Sequence, residues 1–565
     1  MLAAIAVESC QRWSFLEHNA GARSLGLSPS ISIRLAVAAY AVVFGAAGVL
    51  DYVGFRSAGY DVGTAAQAIW NTAHGRPLEA TAAGGEQFLR LGWHVDPLLL
   101  LFAPIWLIWS SPLILIVVLA VAVSAGALPV YWLAQKHLRS DRAALCFALA
   151  YLAYPATQWN ALDPNLGFNP VSLALPLLLY ALWWLDEERW VRFGIVAFLA
   201  ATCNEHIPVV VGCLGLWYGV TRRRPIFGGA MLAAGLAVTV VEFLYVVPHF
   251  STTRSNPFAD RYAAIGGTAG GVVKAVLLHP LRAVDVVLSG HKLVYVALLF
   301  VPLLGLCFRA PLLLLAAIPP LGINLLSSSP DMTEVWSHYA ATTAAVLFGA
   351  AILGAARLKR DPRLVSGAVL VAVAATAVIS PFWTALPVAR EAIGPSARVR
   401  AERHAVGLIP GGVPVSASNR LGSHLSNRRS ILLFPAIRDA RWIAVDTADA
   451  EGPVSFRDAV ERLRHGGGFT TVYESDGVVV LRRSRTVDGV YTGSRHAGGT
   501  SRFPQTPSTG PLRGQAAFAA GGTSRFPQTP STGPLRFAHR TIALRWAILD
   551  SNQGPPPYQS GALTD

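Results

Sequence analysis

The 565-residue chain is 53% hydrophobic and only 14% charged, with a mean hydropathy of +0.45. Soluble domains carry about 25% charged residues, so this balance excludes an ordinary soluble enzyme and points to an α-helical polytopic membrane protein. The formal charge of +14 does not call for nucleic acid, because much of it lies in short loops beside apolar spans, where it sets orientation. Cys10, Cys146, Cys203, Cys213 and Cys307 are scattered without CxxC spacing, which gives neither a disulfide framework nor a metal motif.

Residues 1–33 open with a short apolar run, but Glu8, Arg12 and Glu17 follow without a small-residue cleavage site, so the segment reads as a cytoplasmic tail. Basic clusters then recur at Arg23 and Arg34, Lys136 to Arg142, Arg189 and Arg192, Arg222 to Arg224, Arg309, and Arg357 to Arg363. Placing all of them in the cytoplasm fixes the parity of the spans between them. Spans fall near 34–52, 113–134, 143–157, 171–185, 193–203, 207–219, 226–247, 293–307, 311–326, 340–356 and 364–386, about eleven crossings of a cell membrane. Segment 97–109 is shorter and reads as an interfacial helix. The transmembrane domain is thus 34–386, and loops 53–96, 158–170, 249–273 and 327–339 all face outward. Residues 387–485 read as a small extracytoplasmic α/β domain, with strand-like "GVPVSAS", "ILLF", "WIAVD" and "GVVVLRR" around a helical "FRDAVERLRHG". In 486–565 "GGTSRFPQTPSTGPLR" occurs twice, and so polar a composition predicts a low-complexity disordered tail.

The outward loops hold the candidate chemistry. The first carries Asp61, Gln67, Trp70, Asn71, His74 and Arg90, then "LGWHVDP" with Trp93, His94 and Asp96; the second carries Asp163 and Asn165. "ATCNEHIPV" puts Asn204, Glu205 and His206 between two cramped spans, where an ionisable group faces a cavity, a partner or the headgroup region. His249, Arg254 and Arg261 follow, then "SPDMTEVWSHYA" with Asp331, Glu334 and His338. Asp61 has two readings, the N-cap of a helix 62–73 or a reacting carboxylate. His94 and Asp96 are a near pair that needs further ligands to hold a metal. No GxxxxGK[ST], HExxH or GxSxG motif is present.

"GYDVGTAAQAIWNTAHGRPL", "LGWHVDPLLLLFAPIW", "AYLAYPATQWNALDPNLGFNP", "CNEH", "NLLSSSPDMTEVWSHYAA" and "GVPVSASNRLGSHLSNRRSILLFP" together resemble the uncharacterised bacterial membrane proteins of domain-of-unknown-function family 2079, over residues 35–485. The chain departs from the family pattern at Asn165 to Phe168 and at Glu205-His206, so no role is carried onto Asp163 or His206. That family resembles the GT-C glycosyltransferases, polytopic enzymes that take sugars from polyprenyl-phosphate donors. The resemblance implies a GT-C-like fold, with Asp61 at the catalytic acid position. It also implies a lipid-linked donor in the outer leaflet and a cell-envelope acceptor. In that frame Asp61 and Glu205 are catalytic candidates, and Gln67, Trp70, His74, Arg254 and His338 are substrate-binding candidates. His94 and Asp96 would hold a divalent cation, Mg or Mn, and Arg90, Arg254 or Arg261 would face the phosphate. Two other readings stay open. One is a transporter or flippase for a lipid-linked solute that uses Glu205 as a relay. The other is a non-catalytic envelope scaffold whose α/β domain binds through Arg420, Arg428, Arg429, Arg438 and Arg441. If the membrane part is the enzyme, deleting 390–485 is expected to leave catalysis intact.

Overall fold

The computed structural model describes residues 28–82, 84–164, 166–381, 383, 394–449 and 455–484. The expected N-terminal tail up to residue 27, Asn165, and the repeat-bearing tail 486–565 lie outside the described residues. Residues 28–449 and 455–483 belong to one compact unit.

Among the described residues five helices are long and apolar enough to cross a membrane: Pro29–Val53, Leu113–Leu138, Pro225–Phe250, His338–Ala356 and Pro362–Ile379. Six shorter apolar helices accompany them, at Pro97–Trp106, Pro170–Asp186, Trp190–Ala201, Ile207–Thr221, Gly290–Leu303 and Pro311–Leu326. The eleven expected crossings therefore map onto five full-length helices, five short ones and the helix Asp141–Ala153. By length and composition the described residues support five crossings, or six if the bent pair Ala259–Leu278 and Pro280–Val287 is one span. Helix starts follow local chemistry: proline opens Pro29–Val53, Pro155–Leu162 and Pro170–Asp186, where its missing N–H costs nothing. The side chains of Ser140, Asn169 and Asp361 accept from the first-turn amides of the helices they precede.

His338–Ala356 is the hub, 89% buried against 22% for Pro29–Val53. Its sequence is mostly Ala, Gly and Thr, and small residues let neighbouring backbones close in. A Cβ on Gly354 would run into the carbonyl of Leu306. At one end of the bundle Asp186, the last residue of Pro170–Asp186, meets Lys136 (2.8 Å), His137 (2.9 Å) and Arg222 (3.2 Å). The opposite ends of Pro170–Asp186 and Ile207–Thr221 carry Asn169 and His206. Basic clusters and polar loops thus occupy opposite ends of the same helices.

Two sheets sit at the loop end. A hairpin in the first loop pairs β1 (Glu79–Thr81) with β2 (Gln87–Leu89). The α/β domain has β3 (Val415–Ala417), β4 (Ile431–Leu433), β5 (Trp442–Asp446), β6 (Phe469–Ser475) and β7 (Val478–Arg483), in the order β4-β3-β5-β7-β6. β3 runs parallel to both β4 and β5, and β7 runs antiparallel to β5 and β6. Asp476 and Gly477, at φ 50° and 82°, close the β6–β7 hairpin as an Asp-Gly turn requires. The domain is joined to the first-loop hairpin by ion pairs of Arg429 with Glu79 (3.0 Å) and of Arg438 with Glu86.

Candidate active site

The chain leaves Pro29–Val53 through Phe55, at φ 58°, and enters a single π-helical turn over Gly59–Gly63. Such turns are rare and concentrate at functional sites. Asp61 sits in it, half-buried, and the following helix starts only at Thr64 without a side-chain cap. The N-cap reading of Asp61 is therefore overturned, because the cap position falls on Gly63. Three contacts hold the turn. Val62 N–H donates to the carbonyl of Leu166 in the second loop (3.2 Å). Tyr60 N–H donates to Asn419 Oδ1 of the α/β domain (2.9 Å). The Thr64 hydroxyl bonds back to the carbonyls of Tyr60 (2.6 Å) and Asp61 (3.1 Å).

From Thr64 the network runs on to Glu205. Arg90 Nη1 donates to Thr64 Oγ1 (3.0 Å), and its Nε pairs with Asp96 Oδ2 (2.8 Å), both side chains buried. The same 90–96 segment presents His94 and Val95 to the turn after Trp190–Ala201. There Glu205 Oε1 lies 3.2 Å from His94 Nδ1, and Glu205 Oε2 accepts from Val95 N–H (3.1 Å). Burial pushes the Glu205 carboxyl up, but the His94 ring and its hydrogen bond outweigh burial and hold it below the ordinary range. His206 Nδ1 is 2.6 Å from Asn204 Oδ1, and its Nε2 is 3.1 Å from Thr342 Oγ1. Burial lowers His206 to about 4, so the ring is neutral near pH 7. Asp61 and Glu205, 144 positions apart in the chain, thus stand at one end of the bundle and share one hydrogen-bonded frame.

Two further residues complete the frame: Asp163, onto which no role was carried from the sequence, and Arg261, one of the three arginines expected to face a phosphate. Asp163 caps Pro155–Leu162 at φ 44° and is 3% exposed, and its Oδ2 has no hydrogen-bond partner. Burial, then the charges of Asp61 and Asp51, push its carboxyl well above the carboxylate range. Arg261 donates to Tyr339 Oη (2.9 Å), and its guanidinium lies 4.5 Å from the Phe258 ring. Phe258 in turn stacks on His94 at 4.7 Å. Among the described residues no carboxylate lies within ion-pairing distance of Arg261. Its charge thus stays unpaired by carboxylate, whereas Arg90 is paired with Asp96.

Other candidates are placed elsewhere. Gln67 is fully buried; its amide donates to Thr81 Oγ1 and to the Arg429 carbonyl (both 2.7 Å) and accepts from Thr81 N–H (3.0 Å). With both donors taken, it is a strut between loop and domain rather than a substrate contact. Trp70 and His74 stack on each other at 3.9 Å at the far end of Thr64–Ala73, with Arg76 over the indole at 5.5 Å. That helix is about 15 Å long, so the pair lies away from Asp61. Arg254 is exposed and bends back to the His249 carbonyl (2.9 Å). His338 stays near the site, with Nε2 3.4 Å from Asn169 Nδ2 and Nδ1 buried without a partner.

His94 turns its Nδ1 to Glu205 and Asp96 turns Oδ2 to Arg90, and no group of three or more His, Cys, Asp or Glu among the described residues could hold a metal ion. An apolar groove of about 380 Å³ opens between Pro29–Val53, Asp141–Ala153 and Pro362–Ile379, lined by Tyr40, Phe44, Leu152 and Trp383 among others. It reaches Gln158, on the helix that ends at Asp163.

Residues 52–480 match the family described as Predicted membrane protein (DUF2079), and the chain belongs to that family. No curated protein matches the chain. Among solved structures it is similar to ArnT from Cupriavidus metallidurans bound to undecaprenyl phosphate, with 13% sequence identity and a TM-score of 0.48 over 80% of this chain and 99% of that one. It is also similar to ArnT from Cupriavidus metallidurans in the apo state, with 13% identity and a TM-score of 0.45 over 80% of this chain and 100% of that one.

Proposed function

We propose that this DUF2079 member is a membrane glycosyltransferase of GT-C type that moves a sugar from a polyprenyl-phosphate donor to a cell-envelope acceptor. The loop end of the bundle would face outward and the basic end the cytoplasm, as the charge pattern favours. One observation carries the reading. A half-buried carboxylate in a π-turn, a buried Glu205 paired with the half-buried His94, and an arginine without a carboxylate partner among the described residues come together at one end of a helix bundle. An apolar groove reaches the helix capped by Asp163.

Each residue then has a task. Asp61 accepts the proton of the acceptor hydroxyl as its oxygen attacks the anomeric carbon. The bond from that carbon to the phosphate oxygen breaks, and polyprenyl phosphate leaves with the electron pair. Arg261 faces the departing phosphate, and its planar fork suits two phosphate oxygens. Glu205 does not react in this scheme. Both its oxygens are engaged, and it orients His94 and the 94–96 backbone beneath Phe258 and Arg261. The groove takes part of the isoprenoid chain, which needs apolar contact and no hydrogen bonds. Arg261 supplies the charge for which the sequence suggested a metal.

The test is direct. The purified full-length chain in lipid nanodiscs is given a radiolabelled polyprenyl-phosphate sugar and a cell-envelope fraction. Labelled acceptor and an equal amount of free polyprenyl phosphate are expected. Donor that stays intact across a range of sugars and envelope fractions refutes the reading.

A further inference from the structure

We infer that the α/β domain is a working part of the site, because Asn419 and the helix it opens set the backbone turn that carries Asp61. The inference rests on reading Asp61 as the reacting carboxylate. The helix Asn419–His424 follows β3 and lies against the π-turn Gly59–Gly63. Asn419 Oδ1 accepts from Tyr60 N–H at 2.9 Å, one residue before Asp61. Gly59 lacks a side chain for a steric reason: a Cβ there would lie 2.6 Å from the Asn419 carbonyl oxygen and 2.9 Å from Ser423 N. At Gly63 the nearest atom to a Cβ would be Ser423 Cα, at 3.2 Å. Two glycines flanking Asp61 therefore permit backbone-to-backbone contact with the domain.

The sheet makes Asn419 a fixed point. Ser418 N–H bonds to the Ala444 carbonyl (3.0 Å), and Asp446 N–H bonds to Ser418 Oγ (3.2 Å), so the end of β3 is tied to β5. Arg420 N–H bonds to Asp449 Oδ2 (3.1 Å) on the other side. Below, His424 is stacked between Tyr52 (4.1 Å) and Phe55 (3.9 Å), with Nε2 3.0 Å from the Tyr52 carbonyl. Burial lowers this ring to about 3, so it packs as a neutral aromatic. Farther along, Trp106 Nε1 donates to Asn427 Oδ1 (3.1 Å), and Asn427 Nδ2 donates to the Ser110 carbonyl (2.7 Å). Segment 419–429 thus anchors at both sides of the Asp61 turn. The expectation that deleting 390–485 spares catalysis is reversed: that deletion removes the acceptor of Tyr60 N–H and the surface against Gly59 and Gly63.

Asn419 is a positioning residue, and its test reads the turn as well as the activity. In the full-length protein, hydrogen exchange of the Tyr60 amide is followed by mass spectrometry in Asn419→Ala and Asn419→Asp. Loss of one hydrogen bond in Asn419→Ala speeds that amide by roughly three- to tenfold, while exchange within 341–356 is unchanged. Asn419→Asp, which keeps an acceptor oxygen, restores protection. In the transfer assay Asn419→Ala lowers kcat with donor KM unchanged, and Asn419→Asp recovers it. If Asn419→Ala does not fold, Gly59→Ala tests the contact from the other side, with the same faster exchange expected. Tyr60 exchange unaltered in the folded variant overturns the inference. A wild-type chain that transfers no sugar refutes the transferase reading instead, and the exchange result still decides the contact.

Discussion

Arg90 and Asp96 offer the sharpest energetic prediction. Their side chains are 6% and 1% exposed and meet at 2.8 Å. At an effective dielectric near 20, unit charges about 4 Å apart attract by about 4 kcal/mol. Removing each ion from water costs several kcal/mol, so the intact pair contributes close to nothing in net stability. Breaking it is different, because the surviving charge stays buried without compensation. Asp96→Leu and Arg90→Met are therefore each expected to cost about 3–5 kcal/mol, and Arg90→Met also strips Thr64 of its donor. The double variant is expected to lose less than either single change, a coupling of at least about 3 kcal/mol. The assay is chemical unfolding of the full-length protein in detergent, followed by tryptophan fluorescence for all four species. Additive single losses, with the double variant the least stable, would refute the buried-pair argument.

Three further outcomes follow from the same frame. Asp163 titrates above its unfolded value of about 3.9, so the folded state holds a proton that the unfolded chain has released. Its contribution to stability is complete below that value and falls as pH rises toward the folded one. Asp163→Asn is expected to stabilise the protein at pH 8 more than at pH 5 in paired melting curves; equal shifts would contradict the burial argument. Arg261→Ala is expected to reduce sugar transfer by roughly ten- to a hundredfold through loss of a charge-assisted contact, with Arg261→Lys intermediate and Arg254→Ala near wild type; rates from purified variants at saturating acceptor decide it. Gln67→Ala leaves Thr81 N–H and the Arg429 carbonyl unpaired at about 1–3 kcal/mol per group, so unfolding measurements are expected to show a stability loss with donor KM unchanged.

Much of the membrane part was legible because its signal is local. Apolar runs with basic flanks located the helices, and the strand-like "ILLF", "WIAVD" and "GVVVLRR" fall on β4, β5 and β7. The polar first loop with Asp61 falls on a π-turn that the second loop and the α/β domain hold through contacts to its backbone. What escaped depends on partners far away in sequence. Gln67 looked like a ligand contact because its real partners, Thr81 and Arg429, are 14 and 362 positions distant. Trp70 and His74 sit four apart on a helix, which stacks them on each other instead of on a sugar. Arg254 and Arg261 were indistinguishable as exposed-loop arginines until Phe258 and Tyr339 were seen to hold only the second. Asn419 gave no local sign of its role, because that role exists only where the α/β domain meets Gly59 and Gly63.

The central claim is that Asp61 takes the acceptor proton, and the transfer rate of Asp61→Asn tests it most directly. The isosteric amide keeps the turn and removes the base. With unchanged donor binding, the account predicts a loss of about a hundredfold or more in kcat. A folded Asp61→Asn variant that transfers sugar within a few-fold of wild type would contradict it.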